Sequence, residues 1–130
     1  MKEIAIQTPE RVTLIDITEK VRAAVEETGI EDGICVVFSP HTTCGITVNE
    51  NADPDVRADM IKSLADIVRD VGFAHAEGNS DSHVKTSLFG ESSLFIVEGG
   101  QMKLGTWQGI YLAEFDGPRT RKVWVKEVAQ

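Results

Sequence analysis

Alternation of apolar and polar residues predicts strands along much of this chain. Residues 3–8 and 11–16 alternate with a period of two, and residues 34–39 (ICVVFS) form the short apolar run of a buried strand. Residues 43–48 (TCGITV) are predicted to be the neighbour of that buried strand. Later strands are predicted over residues 84–89, 92–98, 107–116 and 122–128.

Two stretches follow helical spacing instead. An apolar stripe begins after Asp16, which is placed to cap the first helix. Asp53 is placed to cap a second helix with Pro54 at its first position, and Gly72 marks the predicted end of that helix. Two main helices and a strand-rich second half predict a single α+β domain, residues 1–130, with a largely antiparallel sheet.

Charge narrows the range of partners. The chain has 13 basic and 21 acidic residues and a formal net charge of -8. An overall negative field disfavours nucleic acid and anionic membranes, whereas a local cluster such as PRTRK can still bind a small anion. Neither a membrane-spanning apolar run nor the apolar core of a signal peptide is present. We therefore expect a cytoplasmic protein without membrane or nucleic-acid partners.

The histidines are the first candidates for chemistry. His75 and His83 share the polar stretch HAEGNSDSH, and His41 opens HTTCGITVNEN. Three imidazoles with an open fourth position form the ligand set of catalytic zinc sites. Their spacing matches no metal motif, so spacing alone favours unrelated surface histidines over a shared metal site. Glu50 and Asn51 follow the strand after His41 and place a carboxylate in the same region.

Cysteines and glycines offer weaker signals. Cys44 lies near His41, but no third group at motif spacing marks it as an activated nucleophile, and Cys35 reads as a buried hydrophobe. Gly105 and Gly109 flank Trp107 in a predicted strand, where glycine indicates close approach of another group to the backbone. Packing in a core or interface is the expected role of Trp107 itself, and a solvated strand face is the simple reading of Glu114 and Asp116.

Three long motifs carry a family resemblance. HTTCGITVNENADPDV, HAEGNSDSHVKTSLFG and LGTWQGIYLAEFDGPRTRKVWV together resemble the YjbQ-like family, also called the secondary thiamine-phosphate synthase family, from about residue 4 to residue 128. The resemblance implies a single α+β domain that assembles as a homotrimer. It also implies one pocket in which His41, His75 and His83 hold a divalent metal, zinc or a similar ion, with magnesium as a further ion if the substrate is a diphosphate.

The same resemblance assigns roles to other residues. Glu50 and Glu77 join the three histidines as expected catalytic groups. The residues expected to bind substrate or phosphate are Asn51, Asn79, Lys85, Gln108 and Arg119.

The activity implied by the resemblance is thiamine-phosphate synthesis. This transferase reaction joins hydroxymethylpyrimidine diphosphate to thiazole phosphate and releases pyrophosphate, so the substrates are small anions. Three histidines suit zinc better than the magnesium that normally assists pyrophosphate departure. Three alternatives therefore stay open: another metal-dependent enzyme acting on a phosphorylated metabolite, a non-catalytic homotrimer that binds a metal or ligand, and histidines that bind phosphate instead of metal.

Overall fold

A computed structural model describes all residues from 1 to 130 and contains eight strands and three helices. The strands are β1 Lys2–Gln7, β2 Thr13–Asp16, β3 Gly33–Phe38, β4 Cys44–Glu50, β5 Ser92–Glu98, β6 Gln101–Met102, β7 Gln108–Glu114 and β8 Thr120–Ala129. The helices are α1 Thr18–Thr28, α2 Pro54–Ile67 and α3 Ser80–Phe89. None of the helices is long and apolar enough to span a membrane.

The strands form two sheets in which every pair is antiparallel. The larger sheet has the order β1-β8-β3-β5-β6 and the smaller has the order β2-β7-β4. The predicted antiparallel α+β domain is confirmed, but β4 is not the neighbour of β3. It pairs with β7 in the smaller sheet, and the Ser39 hydroxyl donates to the Cys44 carbonyl oxygen at 2.7 Å where the chain turns between the sheets.

The main core lies between the two sheets and α1. Its 17 buried residues come from the inner faces of both sheets and from the α1 face that carries Val21 and Val25. The N-cap of α1 is Ile17, one residue after the predicted Asp16, although the Asp16 carboxylate accepts from the Thr18 amide at 2.9 Å. Helix α1 contacts β8 and β6 of the larger sheet and β7 of the smaller one.

The opposite face of the smaller sheet is covered by α2 and α3. Tyr111 and Phe115 pack there against Leu64 of α2, so β7 is buried on both faces. The predicted α2 cap is confirmed, with the Asp53 carboxylate accepting from the Asp55 amide at 2.9 Å. The predicted end at Gly72 is wrong, because the helix ends at Ile67.

Helix α3 replaces a predicted strand at residues 84–89. Its inward face carries Ser82, Lys85 and Thr86, which follow helical spacing but are polar, while Val84 and Leu88 point outward and are exposed. A hydrophobic pattern cannot detect a helix whose buried face is polar. As a result there are three helices, and His83 lies in the first turn of α3 instead of in a loop.

The outer face of the larger sheet is not covered by any element. Side chains that alternate outward along β3, β5 and β8 form an exposed apolar patch, which we call the outer apolar face. It includes Ile34, Leu94, Ile96 and Val128.

Candidate functional site

A polar pocket lies where the first turn of α3 meets the segments before β4 and after β7. It has a volume of about 320 Å³, and none of its lining residues is apolar. The lining residues are Thr42, Thr43, His75, Glu77, Asn79, His83, Asp116 and Arg119. We call this the two-histidine pocket.

His75 and His83 come together as predicted. Their ring centroids are 5.7 Å apart and the planes meet at 81°, an edge-to-face arrangement. The Asn79 carbonyl oxygen accepts from the His83 amide at 3.4 Å, which fixes His83 in the first turn of α3. His75 stands in the preceding loop, whose turn is closed by a bond from the Gly78 amide to the His75 carbonyl oxygen at 3.4 Å.

His41 does not line this pocket. Its Nε2 accepts from the Lys122 amide at 2.9 Å, so the ring bonds to β8 beyond the point where β3 ends. Partial burial and the charge of Arg121 lower the pKa of His41, against the opposing effect of the Glu114 charge. A lowered pKa keeps the imidazole neutral and able to accept this bond.

Within one chain the three histidines are therefore not brought together, and the predicted three-histidine metal site stays a prediction. His41 Nε2 is already bonded to the Lys122 amide, and no group of three or more His, Cys, Asp or Glu side chains in the chain is arranged to hold a metal ion. The donor set does not fit zinc, which takes at least three protein ligands in its sites. It does not provide the oxygen-ligand cluster of a magnesium site either.

Asn79 has an unusual hydrogen-bonding state. Its Nδ2 donates to Asp116 Oδ2 at 2.9 Å, while its Oδ1 is buried and has no hydrogen-bond partner. Arg119 binds the same acid, with Nη2 donating to Asp116 Oδ2 at 3.1 Å and Nε donating to the Asp116 carbonyl oxygen at 2.9 Å. Of the residues expected to bind substrate, Asn79 and Arg119 thus reach the pocket.

A buried ion pair lies next to these walls. Glu114 is fully buried and Arg121 is 2% exposed, and Arg121 Nε donates to Glu114 Oε1 at 2.8 Å. Arg121 Nη2 also donates to Thr43 Oγ1 at 2.9 Å, and the Asp116 amide donates to Glu114 Oε2 at 3.1 Å. The ion pair therefore holds both Thr43 and Asp116 in place. The solvated-face reading of Glu114 is wrong.

The protonation state of Glu114 follows from these contacts. Burial by itself raises the pKa of the Glu114 carboxyl. Hydrogen bonds from Arg121, Thr8 and the Asp116 amide, together with the charge of Arg121, outweigh this effect and lower the pKa below its ordinary value of 4.5. The Glu114 carboxylate and the Arg121 guanidinium are consequently both charged at neutral pH, because the hydrogen bonds to Glu114 stabilise its ionised form.

Glu50, Asn51 and Gln108 lie away from the pocket. The β4–β7 ladder runs from Cys44↔Glu114 at the pocket end to Glu50↔Gln108 at the other. Seven strand residues span roughly 20 Å, so these three side chains do not join the histidines within one chain. The prediction overlooked that β4 leads away from His41.

Asn51 explains a glycine of the GTWQG motif. A Cβ at Gly109 would come within 2.8 Å of the Asn51 side chain. The backbone amide of Asn51 donates to the Trp107 carbonyl oxygen at 3.0 Å. The predicted close approach to the backbone is thus made by Asn51. Trp107 itself is 63% exposed, so it does not pack in the core of this chain.

Lys85 is buried instead of lining the pocket. It is 5% exposed, and its Nζ lies 3.5 Å from Asp81 Oδ2. Arg11 Nη2 binds the same carboxylate at 3.1 Å. These residues stand beside a second cavity of about 250 Å³, lined in part by Arg11 and Asp81, which shares His75 with the two-histidine pocket.

The cysteines are not activated. Both are free and fully buried, and burial raises the pKa of Cys35 to about 11 and that of Cys44 to about 12. The thiolate is the nucleophilic form of cysteine. Neither residue is therefore suited to nucleophilic chemistry near neutral pH.

Three wall residues were not assigned roles from the sequence. Thr42 and Thr43 follow His41 directly, and Asp116 lies within the third family motif but had a solvated strand face as its simple interpretation. The sequence features that could have indicated these wall residues are the two threonine hydroxyls of HTT and the carboxylate of Asp116, three residues before Arg119. A local sequence cannot show that these two segments meet, because β4 and β7 bring them together.

Comparisons with known proteins identify the family. The protein-family model described as UPF0047 protein YjbQ-like matches residues 2–130 of this chain. The chain belongs to the UPF0047 YjbQ-like family. It is 51% identical over 122 residues to a UPF0047 protein of Methanocaldococcus jannaschii, covering 93% of this chain and 88% of that protein. It is 48% identical over 128 residues to UPF0047 protein YugU of Bacillus subtilis, covering 97% of each.

Solved structures of this family share the fold. A crystal structure of an uncharacterized conserved YjbQ/UPF0047 protein from Clostridium acetobutylicum is 53% identical, has a TM-score of 0.95, and covers 98% of this chain and 100% of that one. A protein from Sulfolobus solfataricus, described as YjbQ-like and of unknown function, is 31% identical with a TM-score of 0.95, covering 99% of this chain and 96% of that one. The predicted family and fold are confirmed.

The predicted thiamine-phosphate synthase activity is not supported. The relatives carry family names without a reaction, and the Sulfolobus protein is described as one of unknown function. In this chain the three-histidine metal pocket on which that activity depended is absent. The predicted synthase activity is therefore wrong as a statement about this family, whose described members carry no assigned reaction.

Proposed function

We propose that this protein binds a small polar molecule bearing hydroxyl or amino hydrogen-bond donors in the two-histidine pocket, and that His75 and His83 exchange protons with it. The observation that carries the proposal is Asn79 Oδ1, a buried acceptor without a partner at this pocket. A buried polar atom left unpaired costs about 1–3 kcal/mol. A ligand that donates to this oxygen recovers that cost.

The charges of the pocket agree with a donor-bearing ligand. Two carboxylates, Glu77 and Asp116, face one guanidinium, Arg119, whose Nε and Nη2 are both bonded to Asp116. The pocket therefore carries two carboxylates against one guanidinium. The small anionic substrate expected from the sequence stays a prediction, which the same experiment tests.

Two imidazoles add acid–base chemistry to this recognition. Histidine is the side chain used most often for proton transfer near neutral pH. Both imidazoles line the pocket with ring centroids 5.7 Å apart, so one bound hydroxyl or amine can lie near both rings. The chemistry proposed is the removal of a proton from a ligand and its return by the paired histidines.

Ring-nitrogen NMR tests this proposal. Erythritol, ethanolamine and inorganic phosphate are titrated separately while the ¹⁵N shifts of the three histidines are followed. We expect a saturable response of His75 and His83 to a donor-bearing probe, and about tenfold weaker binding in Asn79→Ala, the loss of one hydrogen bond.

Asn49→Ala is the matched control, because Asn49 is exposed and lies on the far part of β4. It should bind the probe as the wild type does. The proposal fails if no donor-bearing probe perturbs these histidines, or if Asn79→Ala binds the probe unchanged. Saturable binding of phosphate alone would favour the anionic prediction over this one.

A further inference from the structure

We infer that Asp116 determines the hydrogen-bond polarity of the two-histidine pocket, and thereby which class of ligand it accepts. The inference rests on the proposed function. A side-chain amide offers a donor on one side and an acceptor on the other. Whichever group Asp116 engages, Asn79 presents the opposite group to the ligand.

The carboxylate of Asp116 leaves only one orientation for the amide. An ionised carboxylate accepts hydrogen bonds and cannot donate them. Asn79 Nδ2 donates to Asp116 Oδ2 at 2.9 Å, so Oδ1 is the atom left without a partner. The reverse orientation would place two acceptor oxygens against each other, which is unfavourable in a site shielded from water.

Asp116 is itself fixed from both sides. On one side Arg119 holds its carboxylate oxygen and its carbonyl oxygen, at 3.1 and 2.9 Å. On the other side its amide donates to the fully buried Glu114 at 3.1 Å, and Glu114 is paired with Arg121. The carboxylate therefore has little freedom to turn away from Asn79, and the buried ion pair acts as the support of this contact.

An Asp116→Asn change removes this constraint without a large change in volume. An asparagine at this position can turn its NH₂ group towards Asn79 by giving up the Arg119 bond to the same atom, a half-exposed contact that is worth little to a neutral amide. The Asn79 amide can then turn and present its own NH₂ group. The change also removes one negative charge from the pocket. The altered pocket should prefer acceptor-rich oxyanions, whereas the wild type should prefer donor-bearing molecules. Asp116 is thus assigned as a specificity-determining residue.

The chain offers a close control in Asp66. Arg69 Nε donates to the Asp66 carbonyl oxygen at 2.9 Å, and Arg69 Nη2 donates to its carboxylate at 3.0 Å, the same pair of contacts that Arg119 makes with Asp116. Asp66 is exposed at the end of α2 and lies outside the pocket. An Asp66→Asn variant therefore loses an equivalent surface pair without touching Asn79.

The test compares affinities for ethanolamine and inorganic phosphate by the same NMR titration. We expect Asp116→Asn to shift the ratio of the two dissociation constants towards phosphate by about tenfold or more, the worth of one reversed hydrogen bond. Asp66→Asn should keep the wild-type ratio. An unchanged ratio in Asp116→Asn, or an equal shift in Asp66→Asn, overturns the inference.

A second readout separates this inference from the proposed function. Hydrogen exchange of the Asn79 side-chain NH₂ is measured without any ligand and compared with that of the exposed Asn49 side chain. If Asp116 holds the amide, Asn79 exchanges at least about tenfold more slowly, and Asp116→Ala removes the difference. Exchange as fast as that of Asn49 overturns the inference whatever binds. Slow exchange in a protein that binds no donor-bearing probe refutes the proposed function alone.

Discussion

The buried ion pair between Glu114 and Arg121 yields the sharpest stability prediction. Arg121→Leu leaves a fully buried carboxylate with only the Thr8 hydroxyl and the Asp116 amide as donors. It also removes the guanidinium bonds to the Thr43 carbonyl and hydroxyl oxygens. Breaking a buried pair by removing one partner costs about 3–5 kcal/mol in the free energy of unfolding.

Replacing both partners should cost less than this. In Glu114→Met/Arg121→Leu no buried charge is left unpaired, and buried ion pairs replaced by apolar residues of similar volume are often nearly neutral in stability. We therefore expect the double variant to be more stable than Arg121→Leu. Arg69→Leu is the surface control, since its pair with Asp66 is exposed and should contribute less than about 1 kcal/mol.

Urea unfolding at one fixed protein concentration, followed by tryptophan fluorescence, measures the wild type, Glu114→Met, Arg121→Leu, the double variant and Arg69→Leu. The reasoning is refuted if Arg121→Leu lies within about 1 kcal/mol of the wild type. It is also refuted if the double variant loses the sum of the two single losses, because the two charges would then not be coupled.

Three further predictions follow. The pKa of Glu114 in the folded protein lies below its ordinary 4.5, so its contribution to stability should be complete above pH 4.5 and lost as pH falls through the folded pKa. Glu114→Gln should lose less stability over this range, and equal acid unfolding curves for the two proteins would contradict the prediction. Cys35 and Cys44, with pKa values of about 11 and 12, should react with a thiol reagent at pH 8 only after unfolding; prompt labelling of native protein disproves it. The expected homotrimer should bury the outer apolar face, so Leu94→Glu/Ile96→Glu should shift the mass measured by light scattering to that of the monomer. A variant that remains trimeric would exclude this face as the interface.

Local sequence patterns predicted the elements whose buried faces are apolar. Alternation located β1 and β2, and the caps at Asp16 and Asp53 located two helices. Helix α3 was missed because its inward residues are Ser82, Lys85 and Thr86. Of the α3 residues only His83 lines the pocket, so the polar inward face explains the missed helix but does not itself form the site.

The candidate site was only partly predictable because its members meet through non-local pairing. His75 and His83 are eight residues apart and share one segment, so they come together locally. His41 is close to the pocket threonines in sequence, but its ring bonds to β8, which no local pattern specifies. The unpaired state of Asn79 Oδ1 depends on Asp116, a residue 37 positions later.

Affinity for a donor-bearing probe in three matched histidine variants decides whether the pocket has two histidines or three. His41→Gln, His75→Gln and His83→Gln are each titrated with the probe that perturbs the wild type most strongly. We predict at least about tenfold weaker binding in His75→Gln and His83→Gln, and wild-type affinity in His41→Gln. Equal losses in all three variants, or a loss confined to His41→Gln, would contradict the two-histidine pocket.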